Sequence, residues 1–312
     1  MIEVKGLTKD YGPRRAIDHL NFSVSKGDVV GFLGPNGAGK STTMKIITGF
    51  MAPSSGSASV AGFDVFENPL EVKKRIGYLP ETPPVYADMF VRDYLRYVAA
   101  LKQVPKEKTE AMVDMAIAKT NLGDVQKRLI HHLSKGFKQR VGIAQAIVSD
   151  PEVLILDEPT VGLDPKQVAE IRDLIKALRG HHTIILSTHI LPEVQATCEK
   201  IIIINKGRIV AQDSIANLAS MEKGQSRLHV RLRKDVSDMK SVLKDIREVV
   251  SVSMEASGHE WRIDVQGGDE IVDAVSARLV NQGLGLLELS PTKMDLEDVF
   301  LKLTYGQKEG QL

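Results

Sequence analysis

One glycine-rich stretch constrains this chain more than any other feature. It is Gly34-Pro35-Asn36-Gly37-Ala38-Gly39-Lys40-Ser41, and an apolar run at 29–33 precedes it. Two glycines separated by four residues and followed by Lys and Ser match the pattern of a phosphate-binding loop. The residues on either side predict a strand before the loop and a helix after it. The alternative, an ordinary glycine-rich turn into a helix, is disfavoured by those two flanking elements.

The residue types of this loop suit an anionic ligand. Glycines let successive N–H groups turn toward a phosphate, and a helix that begins near Lys40 directs its positive end to the same place. The Lys40 side chain can reach the outer phosphates, and the Ser41 hydroxyl would lie on Mg²⁺. The loop therefore predicts a site for a phosphorylated ligand.

Length and composition limit the class of protein. The 312 residues suffice for one large or two ordinary domains. With 41 Lys and Arg against 40 Asp and Glu, the net charge of +1 gives no global field for nucleic acid or anionic lipid. The single Cys198 excludes an internal disulfide, no segment approaches the roughly 18 apolar residues of a membrane span, and no signal peptide is visible. We expect a cytoplasmic chain.

Two carboxylates follow a fully apolar run. Residues 153–156 predict a strand that is buried on both faces of a parallel sheet, and Asp157 and Glu158 come directly after it. Ligands of such sheets bind beyond the carboxyl ends of the strands, so both acids should lie beside the phosphate loop. Asp157 suits Mg²⁺ through water, and Glu158 suits a general base that activates water.

The rest of the first 220 residues predicts an α/β domain with an insert. Residues 2–7 and 16–24 predict an antiparallel pair of strands that flanks the strand before the glycine loop. Helical spacing at 91–101 and 107–120 predicts a helical subdomain at about 82–150. Residues 183–187 predict a second buried strand, which His189 follows. Tyr11 precedes a turn, and the sequence leaves open whether it is a platform for a base or an ordinary turn residue.

The pattern changes beyond a polar linker at 221–226. Residues 227–233 alternate strictly, and the order that follows is strand, helix, strand, strand, helix, strand, as in ferredoxin-like domains. We therefore predict a small α+β domain at 227–312 that ends in a short helix at about 296–303. Regulation, dimerisation and contact with a partner are all open as its role. In the first domain, residues 52–57 predict a loop.

The motifs of the first domain, residues 1–222, together resemble the nucleotide-binding subunit of ATP-binding cassette (ABC) transporters. The matching segments are the Walker A loop at 34–41, the Walker B strand at 154–158, the D-loop at 162–164, the switch-histidine region at 187–189, and the signature region Leu133-Ser134-Lys135-Gly136-Phe137. The combination is far more specific than any single part. The resemblance implies a P-loop NTPase domain with a helical subdomain and an antiparallel β part.

The resemblance also implies the site. Two copies would pair head to tail, with two ATP molecules between them. Each ATP would be held by Gly34, Pro35, Asn36, Gly37, Ala38, Gly39, Lys40, Ser41 and Thr42 of one copy and by Ser134 and Gly136 of the other. Tyr11 would stack on adenine, and Ser41, Glu81 and Asp157 would hold Mg²⁺. Glu158, His189 and Lys40 would form the catalytic set.

Two departures from the family pattern matter. Glu81 stands where the family usually has Gln, and it adds negative charge near the phosphates while keeping an oxygen ligand. In the signature, Lys135 and Phe137 replace Gly and Gln. Lys135 either faces the γ-phosphate of the partner's nucleotide or points to solvent. Because the catalytic set is intact, we expect ATP hydrolysis.

Similar departures and an appended C-terminal domain occur in the ATPases of bacterial efflux transporters. The resemblance therefore implies an integral membrane permease as partner, a location on the cytoplasmic face of the inner membrane, and no nucleic acid. Val85, Tyr86, Met89 and Phe90 would form part of the groove for the permease, or else pack within the helical subdomain. The alternatives are a soluble ABC ATPase without a transport role and a regulatory module that binds ATP without turnover.

Overall fold

The computed structural model describes residues 1–220, 225–255, 258–267 and 269–293, together with Phe300 and Thr304. The chain divides into two compact units, Met1–Ile215 and Ala216–Leu312. Of the predicted linker, residues 221–224 lie outside the described residues, as does the predicted terminal helix at 296–303 apart from Phe300. Among the described residues, no helix has both the length and the apolar character to cross a membrane.

The first unit is built from alternating strands and helices. Its strands are β1 (Ile2–Tyr11), β2 (Arg14–Val24), β3 (Val29–Leu33), β4 (Ser55–Val60), β5 (Phe63–Asp64), β6 (Ile76–Leu79), β7 (Val153–Asp157), β8 (Thr183–Thr188), β9 (Lys200–Asn205) and β10 (Arg208–Ser214). Its helices are α1 (Lys40–Ile47), α2 (Pro69–Arg75), α3 (Val91–Leu101), α4 (Lys106–Lys119), α5 (Lys135–Ile147), α6 (Pro165–Leu178) and α7 (Leu191–Thr197), with 3₁₀ turns at Gly123–Val125 and Ile130–His132. Helix α8 (Ile215–Ser220) starts at the last residue of this unit.

The central sheet has the order β10-β9-β3-β8-β7-β6. Strand β3 pairs in parallel with β8 and β9, and β7 pairs in parallel with β6 and β8. Every residue of β3, β7 and β8 is buried. Such continuous burial requires cover on both faces of the sheet, which explains why these strands read as unbroken apolar runs. The parallel pairing brings the ends of β3, β7 and β8 to one edge.

A second sheet contains the N-terminal strands. Its order is β2-β1-β4-β5, and the predicted antiparallel pairing of β1 with β2 is confirmed. The prediction that this pair flanks β3 needs correction, because the hydrogen-bonded neighbours of β3 are β8 and β9. The second sheet instead packs its apolar face into the core that β3 shares, with the rings of Phe22 and Phe32 5.6 Å apart.

The helical subdomain contains α3, α4 and α5. The bounds predicted for α3 are those of the structure, and α4 begins one residue before the predicted helix. Arginines of α3 bind acids of α4: Arg96 Nε lies 2.6 Å from a carboxylate oxygen of Glu110, and Arg92 Nη2 lies 2.6 Å from Asp114. These ion pairs join the two helices across their exposed faces.

The short helices α2 and α7 are among those that sequence patterns missed. Each has a proline within its first two residues, where the absent N–H costs nothing. Seven residues are too few for helical spacing to stand out, so both segments look like loops in the sequence. The predicted loop at 52–57 is also too long, because β4 begins at Ser55.

The second unit has the predicted order of elements. It contains β11 (Gln225–Leu232), α9 (Met239–Leu243), β12 (Val249–Met254), β13 (Glu260–Gln266), α10 (Asp269–Asn281) and β14 (Leu286–Lys293). Its antiparallel sheet has the order β12-β13-β11-β14, the arrangement of a ferredoxin-like fold. Leu228, Trp261 and Val275 are among the buried residues of its core. The unit therefore has a core of its own.

The close contact of β6 with α5 gives a stability test. A Cβ at Gly77 would collide with the backbone oxygen of Ala146 and would come within 2.7 Å of Leu154 Cδ2. We expect Gly77→Ala to lower the free energy of unfolding by about 1–3 kcal/mol, the usual cost of overpacking. The matched control is Gly123→Ala, since nothing lies within 4 Å of a Cβ there. Denaturant midpoints would measure both, and equal midpoints would contradict this account.

Candidate functional site

The glycine loop joins β3 to α1, and its conformation depends on glycine. Gly39 has φ of 110° and directly precedes the first residue of α1. A Cβ at Gly39 would also lie 2.8 Å from the backbone oxygen of Ala16, so the position is closed to side chains twice over. The loop therefore turns tightly enough to direct the N-terminus of α1 into the space beyond the sheet edge.

Lys40 is buried at the base of this loop, with only 5% of the residue exposed. Its ammonium donates to the backbone oxygens of Gly34, at 2.8 Å, and Pro35, at 3.3 Å. It also lies 3.3 Å from Glu158 Oε1. A buried cation needs such partners, because an unpaired charge in the interior costs several kcal/mol.

Glu158 connects the loop to the end of β8. Its carboxylate lies between Lys40 and His189, whose Nδ1 is 2.9 Å from Glu158 Oε2. The backbone of Glu158 has φ of 50°, a left-handed conformation that is uncommon for a residue with a side chain, and its N–H donates to Ser187 O at 2.9 Å. Strained backbone of this kind clusters at functional sites.

Asp157, next in the chain to this carboxylate, is 2% exposed. Burial raises the pKa of its carboxyl. Hydrogen bonds from the hydroxyls of Ser187 and Ser41 lower this pKa, and the negative charges of Glu158 and Glu81 raise it further. Its Oδ1 is buried and has no hydrogen-bond partner within the part of the chain that the structure describes. An unsatisfied carboxylate oxygen beside a serine hydroxyl is a suitable ligand set for Mg²⁺, which prefers oxygen.

Lys40, Glu158 and His189 open onto a cleft, whereas Asp157 is not among the residues that line it. The cleft has a volume of about 470 Å³. It is lined by Tyr11, Arg14, Ala16, Asn36, Gly37, Gly39, Lys40, Ser41, Thr42, Glu81, Glu158, Val161 and His189. Tyr11 is 45% exposed there, and its hydroxyl donates to Met51 Sδ at 3.0 Å. Most residues predicted for one nucleotide thus meet at one cleft within a single chain.

Sequence reasoning missed three residues of this lining, Arg14, Ala16 and Val161. Arg14 pairs with Tyr11 across the turn between β1 and β2, so both reach the same mouth of the cleft. The position of Arg14 just after the Gly-Pro turn was the available signal. Val161 follows the acid pair by three residues and carries no chemical signal.

Ser134 and Gly136 do not line this cleft. Ser134 is the N-cap of α5, and its hydroxyl accepts from the Phe137 N–H at 3.5 Å. Gly136 is buried, and a Cβ there would lie 2.6 Å from Gln167 Oε1. The ammonium of Lys135 lies against Gly162 of the D-loop segment. The signature region therefore forms a separate surface at the start of α5.

A further group of possible metal ligands lies in the second unit. His229, Glu255 and Glu260 offer ligand atoms within 4.8 Å of one another. His229 is far from Glu255 and Glu260 in the sequence, so no spacing pattern revealed the group. Arg262 binds Glu255 at 2.6 Å, and His229 lies 3.4 Å from the same carboxylate, so Glu255 already has a cationic partner in Arg262.

Comparison with known proteins gives a consistent result. A family model described as ABC transporter matches residues 17–161. The bacitracin transport ATP-binding protein BcrA of Bacillus licheniformis is 33% identical over 98% of this chain and 98% of its own length. The daunorubicin resistance ATP-binding protein DrrA3 of Streptomyces coeruleorubidus is 30% identical over 97% of this chain and 95% of its own.

The fold has a similar match among solved structures. An ATP-binding subunit of an ABC transporter superposes with a TM-score of 0.65 and 31% sequence identity. The match covers 71% of this chain and 92% of that one.

Proposed function

The chain belongs to the ABC transporter family, and on this premise we propose that it hydrolyses ATP in an efflux transporter as one half of a closing homodimer. The ATP-binding and ATP-hydrolysing activity is that of the family. The observation that carries the proposed site is the placement of the Glu158 carboxylate between Lys40 and His189 at the mouth of the cleft. A carboxylate held there can accept a proton from a water that attacks the terminal phosphate.

The roles proposed for the binding residues follow from their places. The N–H groups of the 34–41 loop and the Lys40 ammonium would bind the phosphates, and Tyr11 would stack on the adenine. The Lys40 ammonium contacts Gly34, Pro35 and Glu158. Binding of a triphosphate would give this cation a stronger partner and free the Glu158 carboxylate to bind water.

Ser41, Asp157 and Glu81 would hold Mg²⁺ at this site. The buried Asp157 Oδ1, for which the described residues offer no hydrogen-bond partner, supports this assignment. The ion would supply positive charge against the phosphates, and Glu81 keeps the oxygen ligand that a Gln would offer while lowering the net charge there. The carboxylate at position 81 is a family departure, and it lies on the cleft wall.

The proposed homodimer would bring Ser134 and Gly136, which do not line the cleft of their own chain, to the nucleotide of a second copy. Ser134 and Gly136 lie on a separate surface at the start of α5, where the helix N-terminus suits an anion and where no acidic residue occupies the first turn. In a head-to-tail pair, this surface of one copy would complete the phosphate site of the other. ATP would then favour the closed pair over the open one by the difference in its affinity for the two states.

A permease is the proposed membrane partner, and it would place the chain at the cytoplasmic face of the membrane. Tyr86 and Phe90 are 54% and 46% exposed, and the Tyr86 ring contacts Tyr97, which is also exposed. Exposed aromatic groups of this kind suit a partner helix. Arg92 serves the subdomain itself through its ion pair to Asp114. The two relatives are named for different compounds, bacitracin and daunorubicin. We therefore assign the choice of cargo to the membrane subunit.

Glu158 gives the direct test of hydrolysis. We expect Glu158→Gln to lower the steady-state ATPase rate by about 10² or more, because the amide cannot accept the proton. The matched control is Glu107→Gln, an exposed acid in the first turn of α4 that should leave the rate unchanged. Equal rates for wild type and Glu158→Gln would remove Glu158 from this role.

Tyr11 tests the adenine position. We expect Tyr11→Ala to weaken binding of a fluorescent ATP analogue by about 1–3 kcal/mol, the usual value of stacking a base on an aromatic ring, and Tyr11→Trp to retain it. Tyr97→Ala removes an exposed ring from α3 and is the control. Unchanged affinity in Tyr11→Ala would place the base elsewhere.

The homodimer can be tested at Ser134. In the Glu158→Gln background, which should retain ATP, we expect ATP and Mg²⁺ to convert the protein to a dimer in light scattering. Adding Ser134→Arg should abolish that dimer by filling the proposed half-site, while binding of ATP to the monomer stays within about twofold because Ser134 is outside the monomer's own cleft. Ser23→Arg, on the exposed side of β2, is the control. An unaffected dimer would contradict the arrangement.

A further inference from the structure

A buried acid outside the predicted catalytic set joins two parts of the site. Glu193, in α7, is only 4% exposed. The Thr160 hydroxyl donates to Glu193 Oε1 at 2.6 Å, and the Thr188 hydroxyl donates to Oε2 at 2.9 Å. Both carboxyl oxygens are therefore used, which compensates the cost of burying the group.

The two threonines lie near the carboxyl ends of neighbouring strands, Thr160 beyond the end of β7 and Thr188 as the last residue of β8. Thr160 follows Glu158 by two residues at the exit of β7, and Thr188 directly precedes His189 at the end of β8. The Thr188 hydroxyl also accepts from the Ile190 N–H at 3.1 Å, which turns the chain just beyond His189. One side chain thus binds the segments that carry Glu158 and His189.

Glu193 sits on an element that is itself held in place. The next residue, Val194, packs so closely on Gly31 of β3 that a Cβ at position 31 would collide with it. Just beyond the C-terminal end of β3, the Gly34 N–H donates to Thr188 O at 3.3 Å. Helix α7 therefore packs against the strand that leads into the phosphate loop. This packing also fixes the position of Glu193, because Glu193 lies in the same helix.

We propose that Glu193 is a positioning residue for ATP hydrolysis, which holds the exits of β7 and β8 together so that Glu158 and His189 act as a pair. The inference rests on the proposed function of that pair. Glu158 and His189 leave separate strands, and their 2.9 Å contact spans both exits. The backbone bond from the Glu158 N–H to Ser187 O joins the two exits at the strand ends, and the Thr160–Glu193–Thr188 connection joins them a second time beyond that bond.

The connection also reaches the D-loop. The Leu163 N–H donates to Thr160 O at 3.2 Å, and Gly162 has φ of 66°, so the turn after Thr160 is short and bonded to it. A shift of Thr160 would therefore move Glu158 on one side and the 162–164 turn on the other. Displacements of about 1 Å at a reacting group can cost as much as 10² in rate.

The test compares single hydroxyl deletions. Thr160→Val removes one bond to Glu193 and leaves Glu158, His189 and the cleft lining unchanged. We expect its kcat for ATP to fall roughly tenfold while KM stays within about twofold, because positioning for the chemical step is lost and nucleotide binding is not. Thr160→Ser restores the hydroxyl and should restore kcat.

Thr197→Val is the matched control. Thr197 lies on the same helix, is 6% exposed, and has a hydroxyl without a hydrogen-bond partner among the described residues. It should keep the wild-type kcat. Thermal unfolding of each variant gives the fraction that is folded at the assay temperature. If kcat falls by more than the loss of folded protein explains, the remaining loss is attributed to the positioning of Glu158 and His189. Glu193→Gln, which keeps one acceptor oxygen, should lose less kcat than Glu193→Ala.

Two outcomes separate the inference from the function on which it rests. If ATP hydrolysis depends on Glu158 but folded Thr160→Val retains the wild-type kcat, Glu193 has only a structural role and the inference is overturned. If Thr160→Ser does not recover kcat, the hydroxyl is not the acting group and the inference is likewise overturned. If hydrolysis by the wild-type protein does not depend on Glu158, the proposed function itself fails.

Discussion

The buried carboxylate of Glu158 is the group on which the rest of the site depends. It lies between an ammonium and an imidazole, and each of these comes from a different element: Lys40 begins α1, and His189 follows β8. Buried charges are tolerated only when partners surround them, so this arrangement requires the ends of β3, β7 and β8 to lie side by side. The parallel order of the central sheet meets that requirement. Cover on both faces of the sheet then keeps water from the strands while leaving their carboxyl ends open.

The residues that we assign to the second half of the proposed site do not line the cleft at this edge. The cleft collects the loop, the acids, His189 and Tyr11, whereas Ser134 caps a helix whose start faces elsewhere. A helix N-terminus without acids in its first turn favours an anion, and the proposed occupant is the nucleotide of a second copy. Lys135 adds a cation to that surface and rests on Gly162, so the signature region and the D-loop touch within one chain. The positive charge of Lys135 would attract an anion that binds at this surface.

Patterns in the sequence predicted the long and strongly periodic elements well. Helix α3 has its predicted bounds, β3 and β7 were recognisable as unbroken apolar runs, and the ferredoxin-like order of the second unit is confirmed. The wrong or missing predictions concern elements that are short, or pairings that depend on contacts between distant parts of the chain. Helix α7 has seven residues and a proline near its start, so its spacing carried no signal. The placement of β1 and β2 in a second sheet was also missed, because pairing partners are chosen by packing across the core.

What the amino-acid sequence determined by itself was the kind of chemistry: a loop whose glycines, lysine and serine suit phosphate, an acid pair after a buried strand, and a histidine after the next. Local residue types and spacing suffice for this because each motif works through its own backbone. What only the tertiary structure decided was which of these groups share one cleft and how they are held. Arg14 at the cleft mouth, the unpaired oxygen of Asp157, and the buried Glu193 between Thr160 and Thr188 all depend on contacts between segments far apart in the chain. Such contacts arise from packing in three dimensions, and spacing along one dimension does not encode them.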